Sequence, residues 1–194
     1  PYECLFCYNS VVKRVYEGKG APYRMRSPQH VVGEILSEMR RGSYSHLVFA
    51  DEMFPSERAW LRTFGARLTS VFTLGFEVAV SSERCDPNTL ELLQNAGCSG
   101  IRIGLETGSE PLRKRIAGRN LSSAKVQELV TLARERGIRV HMHTMAGLPG
   151  ETAQSLGETL TLAQALAPDS VSCTVYQPID ATGLGNFVRE KGLV

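Results

Sequence analysis

Short apolar runs alternate with amphipathic segments along most of the chain. After Ser27 and Pro28, a typical N-cap and first-turn pair, apolar residues recur on one helical face. The next apolar run, LVFA at 47–50, has the length of a buried strand. Repetition of this pattern predicts strands at 47–50, 76–80, 100–105, 138–145 and 170–176, and further helices after Ser56, after Asp86-Pro87 and at about 109–118, 122–136, 151–166 and 183–191.

The regular alternation of strand and helix predicts a parallel sheet with right-handed crossovers. No low-complexity linker divides the chain, so we predict one structural unit. The alternation alone leaves two architectures open, an open doubly wound sheet and a barrel.

Polar and glycine-rich residues follow each predicted strand. The carboxyl ends of parallel strands open into one shared mouth, where βα loops gather functional groups. Any single loop has a simpler explanation, since Ser109 and Glu151 are suited to capping the next helix. Five such loops together favour a site, and they lie at 51–52, 81–84, 106–109, 147–151 and 176–178.

The period of two within a strand predicts which side chains share a face. If Glu106 faces a barrel lumen, Arg102 and Gly104 share its face, and the three aliphatic residues at 101, 103 and 105 pack against helices. By the same rule His141 and His143 share one face of their strand. The alternation does not say whether that face is inward.

Composition narrows the class of protein. The 194 residues are 42% hydrophobic and carry a net charge of +2, which is too small a bias to argue for nucleic acid as a partner. We find no apolar run of membrane-spanning length and no secretion signal, so we expect a cytoplasmic protein without a membrane segment. Five scattered cysteines do not resemble a disulfide framework, and we interpret them as reduced thiols or metal ligands.

Two of these cysteines, Cys4 and Cys7, form a Cys-x-x-Cys pair within PYECLFCYN. Such a pair is found in zinc sites, redox dithiols, iron–sulfur sites and ordinary cores. A structural zinc site needs a second pair of ligands, but Cys85, Cys98 and Cys173 are isolated. A thioredoxin-like dithiol belongs to a small βαβ fold, unlike this repetitive chain. Iron–sulfur ligation is the remaining functional interpretation.

The stretch PYECLFCYN resembles the cluster loop of radical S-adenosylmethionine (SAM) enzymes, Cys-x-x-x-Cys-x-x-Cys. Cys4 and Cys7 match its second and third ligands, so we expect the chain to begin inside this loop, after a first strand that it lacks. Four further stretches resemble motifs of strands two to five in the branch associated with a cobalamin-binding domain: HLVFADEMF, ERCDPNTLELLQNAGC, IRIGLETGSEPLRKRI and VHMHTMAGLPGET.

The resemblance implies an α/β fold, a partial (βα)6 TIM-like barrel of parallel strands. Residues 1–194 would be one core domain that runs from the cluster-binding loop to the end of strand six. It also implies a 4Fe-4S cluster that reductively cleaves SAM to a 5′-deoxyadenosyl radical, which abstracts hydrogen from a small-molecule substrate. Flavodoxin or ferredoxin would donate the electron. We expect this stretch alone to be inactive, because it lacks one cluster ligand.

The resemblance also assigns residues to the cofactors. It places Cys4 and Cys7 on the metal, and places Phe6, Tyr8, Asp51, Glu106, Gly147, Pro149 and Gly150 around SAM. Phe6 and Tyr8 would border the adenine, Glu106 would bond a polar part of the nucleoside, and the glycine turn would let backbone approach the adenine. Asp51 would accept a hydrogen bond from SAM or substrate. Simpler roles stay open: loop anchoring for the aromatics, helix capping for Glu106 and plain solvation for Asp51.

Several reactions are compatible with the resemblance. A cobalamin-dependent methyltransferase or cyclase, with cobalamin bound by an upstream domain, is one candidate, and a methylthiolating or RNA-modifying enzyme is another. After the last strand the family often shows Pro-x-Pro-Gly-Thr, whereas this chain has PIDAT at 178–182. Two other classes stay open: a metallohydrolase barrel using His141 and His143 with an acid such as Asp51 or Asp86, and a non-catalytic barrel remnant.

Overall fold

The computed structural model describes residues 4–21, 23–118 and 120–193. The predicted Pro1 to Glu3 part of the cysteine loop lies outside the described residues. After a first short helix, helices and strands alternate, except that two helices separate the third and fourth strands. The strands are β1 (Leu47–Val48), β2 (Phe76–Ala79), β3 (Cys98–Glu106), β4 (Arg139–Ala146) and β5 (Ser170–Val175), and the helices are α1 (Asn9–Val15), α2 (Pro28–Met39), α3 (Arg58–Thr69), α4 (Pro87–Asn95), α5 (Glu110–Ala117), α6 (Ser123–Glu135), α7 (Ala153–Leu166) and α8 (Gly183–Glu190).

The five strands form one parallel sheet in the order β1-β2-β3-β4-β5. A doubly wound sheet reverses its strand order at a switch point, and this sheet does not reverse. The sheet curls into a half-barrel with helices along the outside, so the predicted partial TIM-like barrel is confirmed and the doubly wound alternative is wrong.

The main hydrophobic core lies between the helices and the outer face of the sheet. Phe64 of α3 and Phe76 of β2 are fully buried there, with their ring centroids 5.8 Å apart in an edge-to-face arrangement. Ile101, Ile103 and Leu105 of β3 belong to the same core. The predicted period of two in this strand is therefore confirmed.

The pairing register settles the face that the sequence left open. Arg102 pairs with His141 and Gly104 pairs with His143. Val140 and Met142, which alternate with these histidines, are buried in the core under the helices. Both histidines therefore lie on the inner face of the curled sheet, which we call the lumen face.

Some element ends differ from the prediction. Helix α1 was not predicted, because it buries no side chain and so has no apolar stripe. Helix α3 follows Glu57 rather than Ser56. Ser109 precedes α5 but makes no capping hydrogen bond, and Thr152 rather than Glu151 caps α7. Ser109 therefore occupies the N-cap position of α5 without a side-chain hydrogen bond, and the alternative role of Glu151 as a helix cap is wrong.

Candidate functional site

The cysteine pair lies in a tight turn just before α1. Cys4 is only 4% exposed, and Cys7 is partly buried. The Cys7 amide donates to the Cys4 carbonyl oxygen at 3.1 Å, which closes the turn. The Asn9 amide donates to the Cys7 sulfur at 3.4 Å. This contact fixes the position of the Cys7 sulfur in the turn.

Two helix ends hold this turn in place. The Leu5 amide donates to the Ile116 carbonyl oxygen of α5 at 3.1 Å, and the Leu184 amide of α8 donates to the Leu5 carbonyl oxygen at 2.8 Å. The turn also belongs to a second apolar core, which we call the cysteine-loop cluster. It contains Cys4, Leu112, Ile116, Leu148, Tyr176, Leu184 and Val188, with Phe6, Cys7 and Met145 packed against it.

The loop aromatics differ in their environment. Phe6 packs against the cysteine-loop cluster, whereas Tyr8 is 55% exposed. Phe6 is therefore held against the apolar cluster under the turn. The ring of Tyr8 is available at the surface beside the cysteines.

Glu106 ends β3 in an unusual backbone conformation. Its φ is 64°, a left-handed value that is uncommon for a glutamate, and the strand register shifts between Gly104 and Glu106. A Cβ placed on Gly104 would collide with the Glu106 carboxylate, so this carboxylate lies over the glycine on the lumen face. The glycine predicted to leave room there does so. Strained backbone of this kind is frequent at functional sites.

A buried arginine holds the loop that follows Glu106. Arg113 is 1% exposed, and it donates from Nε to the Thr107 carbonyl oxygen at 2.9 Å and from Nη1 to the Leu121 carbonyl oxygen at 2.7 Å. Burial lowers the pKa of Arg113, although Glu110 and Glu106 oppose that effect. Sequence reasoning missed this residue, because nothing in the charged run LRKR marks one arginine as buried.

The turn after β4 uses the conformations that only glycine adopts easily. Gly147 and Gly150 have φ values of 76° and 80°. The Gly147 amide donates to Glu151 Oε2 at 2.6 Å, and Arg115 Nη2 donates to the carbonyl oxygen of Pro149 at 3.2 Å. The side chain of Glu151 thus closes the turn instead of capping α7. The sequence signal for this contact is the position of the acid, four residues after Gly147.

The acidic pair after β1 reaches the same end of the sheet. Asp51 and Glu52 are both exposed. Asn9 Nδ2 donates to Glu52 Oε2, which links this loop to the cysteine turn. The resemblance assigns Asp51 from this two-residue loop to SAM or substrate, whereas its neighbour Glu52 makes the contact with the cysteine turn.

The two histidines form part of a polar stripe on the lumen face. Ser170 Oγ and Ser172 Oγ lie 2.5 Å and 2.9 Å from the two ring nitrogens of His141. The His143 ring centroid is 4.6 Å from that of His141. Burial lowers the pKa of His143, and His141 and Arg102 lower it further.

This arrangement does not favour a mononuclear metal site. Both nitrogens of His141 already have serine partners. Within residues 4–21, 23–118 and 120–193, no three His, Cys, Asp or Glu side chains are grouped so that they could hold a metal ion. The metallohydrolase alternative therefore has no support in this geometry.

The family model for the "Radical SAM superfamily" matches residues 1–163. The chain belongs to the radical SAM superfamily. The match includes the cysteine turn, the loop after Glu106 and the glycine turn after β4. The resemblance inferred from the motifs is thus confirmed.

Three similar proteins illustrate the relationship. The chain is 26% identical over 196 residues to an anaerobic magnesium-protoporphyrin IX monomethyl ester cyclase of Cereibacter sphaeroides, covering 98% of this chain and 31% of the relative. It superposes with a TM-score of 0.80 and 22% identity on the radical SAM methyltransferase TsrM of Kitasatospora setae, whose structure holds cobalamin and a [4Fe-4S] cluster, over 98% of this chain and 35% of that one. It superposes with a TM-score of 0.65 and 17% identity on the cobalamin-dependent SAM radical enzyme OxsB with aqua-cobalamin bound, over 96% of this chain and 28% of that one.

The structural likenesses establish the fold, because their sequence identities are low. The chain spans about a third of the length of the curated cyclase that it matches. No helix in the described part of the chain has the length and apolar character needed to cross a membrane.

Proposed function

We propose that this chain forms the core of an enzyme that binds a 4Fe-4S cluster and reductively cleaves SAM. The observation that carries the proposal is the cysteine turn, in which Cys4 and Cys7 lie on one tight loop with a backbone N–H directed at the Cys7 sulfur. Helices α5 and α8 hold that turn through the backbone of Leu5. We also propose that residues 1–194 act as one core domain.

Cys4 and Cys7 would supply two thiolates to the cluster. When bound, the cluster supplies the electron that cleaves SAM to a 5′-deoxyadenosyl radical. The proposal requires a further thiolate, since two cysteines alone do not complete the three-cysteine pattern of the superfamily. The surrounding apolar cluster excludes water from one side of the turn.

The remaining residues assigned from the motifs would bind SAM. Glu106 presents its carboxylate on the lumen face, where it can accept hydrogen bonds from hydroxyl groups of the nucleoside. The turn from Gly147 to Gly150 exposes backbone in a conformation that keeps Cβ atoms away from an adenine ring. Phe6 and Tyr8 would border the adenine, and Asp51 would accept a hydrogen bond from SAM or substrate.

The polar stripe on the lumen face would contact a small-molecule substrate. His143 projects beside His141 and near Arg102, so the stripe offers donors in the middle of the sheet. A lowered pKa keeps His143 neutral near pH 7, which allows its ring to donate or accept a hydrogen bond. Hydrogen abstraction would take place between this stripe and the mouth.

The class of reaction is a finer proposal. A cobalamin-dependent methyltransferase or cyclase is supported by TsrM and OxsB, which have cobalamin in their structures, and by the cyclase among the curated relatives. A further domain would bind cobalamin, and a flavodoxin or ferredoxin would deliver the electron. The small net charge does not favour an RNA substrate.

The test uses the longest natural polypeptide that contains these residues, reconstituted anaerobically with iron and sulfide. We would measure bound iron and the 5′-deoxyadenosine formed from SAM after reduction. Cys4→Ala and Cys7→Ala should each abolish the product and lower the iron content. Cys173→Ala is the matched control, because Cys173 is an exposed cysteine on β5, outside the cysteine-loop cluster. Loss of product in the control as well, or product in the two cysteine-turn variants, would overturn the assignment.

A further inference from the structure

Tyr176 places a buried phenol in the apolar cluster that also contains Cys4. The residue directly follows β5, and its amide donates to the Ala146 carbonyl oxygen at 2.8 Å. The side chain is only 8% exposed. Within the described part of the chain, its hydroxyl has no hydrogen-bond partner.

The strand register gives the direction of this side chain. Ser172 pairs with His143 and Thr174 pairs with Met145, so alternate residues of β5 share the lumen face. Tyr176 continues that alternation at the end of the strand. Its ring belongs to the cysteine-loop cluster with Cys4, and Cys7 and Met145 pack against that cluster. Tyr176 therefore lies at the lumen-face end of β5, in the cluster that contains Cys4 and against which Cys7 packs.

A buried hydroxyl without a partner is rare in proteins, because burial removes its hydrogen bonds to water. Phenylalanine would fill the same space without that cost, so the hydroxyl indicates a partner that the described residues do not supply. Burial raises the pKa of Tyr176, and the group therefore remains a hydrogen-bond donor. The acceptors of a 4Fe-4S cluster are its sulfides and its cysteine sulfurs.

We propose that Tyr176 Oη donates a hydrogen bond to a sulfur of the cluster held by Cys4 and Cys7, and thereby raises the reduction potential of that cluster. This inference rests on the proposed function. Reduction adds negative charge to the sulfurs, so a donor stabilises the reduced cluster more than the oxidised one. Tyr176 is thus a tuning residue, and its effect is measured on the cluster itself.

The test compares Tyr176→Phe with the wild type in the reconstituted natural polypeptide without SAM. Electron paramagnetic resonance during a redox titration gives the reduction potential, and pulsed measurements in deuterated water detect exchangeable protons near the cluster. We expect equal iron and sulfide contents and loss of one exchangeable-proton coupling in the variant. The equilibrium constant of reduction should fall about tenfold, which is about 59 mV for a one-electron couple. Tyr44→Phe, at an exposed tyrosine outside the cysteine-loop cluster, should change nothing.

A second replacement keeps the proposal testable if Tyr176→Phe fails to fold. With 3,5-difluorotyrosine at position 176 the ring and hydroxyl remain, but the hydroxyl is a stronger donor, so the potential should rise. Unchanged potentials at full cluster content, or a loss of SAM affinity alone, would overturn the proposal. Absence of a cluster from the wild type itself would instead refute the proposed function.

Discussion

Arg113 Nε donates to the carbonyl oxygen of Thr107 at 2.9 Å, inside a region from which water is excluded. The same guanidinium reaches Leu121, so one side chain connects the loop after Glu106 to the segment before α6. A charge buried among carbonyl groups is stable only while those hydrogen bonds persist. This contact therefore controls the shape of the loop that presents Glu106.

Replacement of this arginine should be costly. Arg113→Met keeps much of the volume but leaves the Thr107 and Leu121 carbonyl groups without their donor, and we expect a loss of about 3 kcal/mol in the free energy of unfolding. Urea denaturation followed by circular dichroism measures this change. Lys114→Met, at the exposed neighbour, should stay within about 0.5 kcal/mol of the wild type. Equal effects of the two substitutions would contradict a stabilising role for the hydrogen bonds of Arg113.

Replacement of two glycines by alanine should have opposite effects on the stability of the protein. A Cβ at Gly108 would lie 2.5 Å from Thr159 Cα, so Gly108→Ala must displace α7 and should cost about 1–3 kcal/mol of stability. Gly157, within α7, has open space at that position. Gly157→Ala should therefore stabilise the protein by about 0.5–1 kcal/mol through helix propensity. Thermal unfolding of both variants measures the difference, and a stabilising Gly108→Ala would refute the close contact.

Glu106 should matter for SAM binding rather than for folding. Glu106→Gln retains the size of the side chain but removes its charge, so we expect SAM affinity to fall about tenfold. Equilibrium dialysis with the cluster-loaded polypeptide measures the dissociation constant, and thermal unfolding checks the fold. Glu135→Gln, on the exposed face of α6, is the control. An unchanged dissociation constant in Glu106→Gln would leave this acid with a structural role only.

His143 should titrate below the ordinary histidine pKa of about 6.5. Burial disfavours its charged form, so the unfolded chain takes up this proton first as the pH falls. The stability that neutral His143 contributes is therefore present above the pKa of the unfolded state. It is lost as the pH falls from that pKa to the lower pKa of the folded state.

Nuclear magnetic resonance of the imidazole protons measures the midpoint directly. Arg102→Met removes a nearby positive charge and should raise the His143 midpoint, whereas Arg139→Met removes an arginine that pairs with Glu77 and should leave it in place. A wild-type midpoint at or above 6.5 would show that partial desolvation and the neighbouring His141 and Arg102 do not act on the ring as expected.

The three cysteines outside the turn should differ in the rate at which their thiols react. Burial raises the pKa of both Cys85 and Cys98 to about 12, so neither forms appreciable thiolate at pH 8. Cys173 is exposed on β5. Alkylation at pH 8 followed by mass spectrometry should modify Cys173 quickly, and Cys85 and Cys98 only after denaturation. Rapid labelling of Cys98 in the native protein would contradict its burial.

The sequence by itself determined the repeating architecture and most of its elements. Apolar periodicity is a local property, so the alternation of Ile101 and Ile103 with Arg102 was sufficient to predict two faces of one strand. The cysteine spacing and the motifs around it were also local, and the superfamily could be inferred from them. Helix α1 lacked such a signal because it buries no side chain.

Only the tertiary structure decided which polar groups meet. Asn9 contacts Glu52 and Arg113 contacts Leu121 because the fold brings separate segments together, and no periodic pattern records such a pair. The inward direction of His143 depended on its register with Gly104. The buried hydroxyl of Tyr176 became informative only when its surroundings were known. The hydrogen bonds of a buried polar group depend on neighbours that are distant in the chain, and packing alone determines those neighbours.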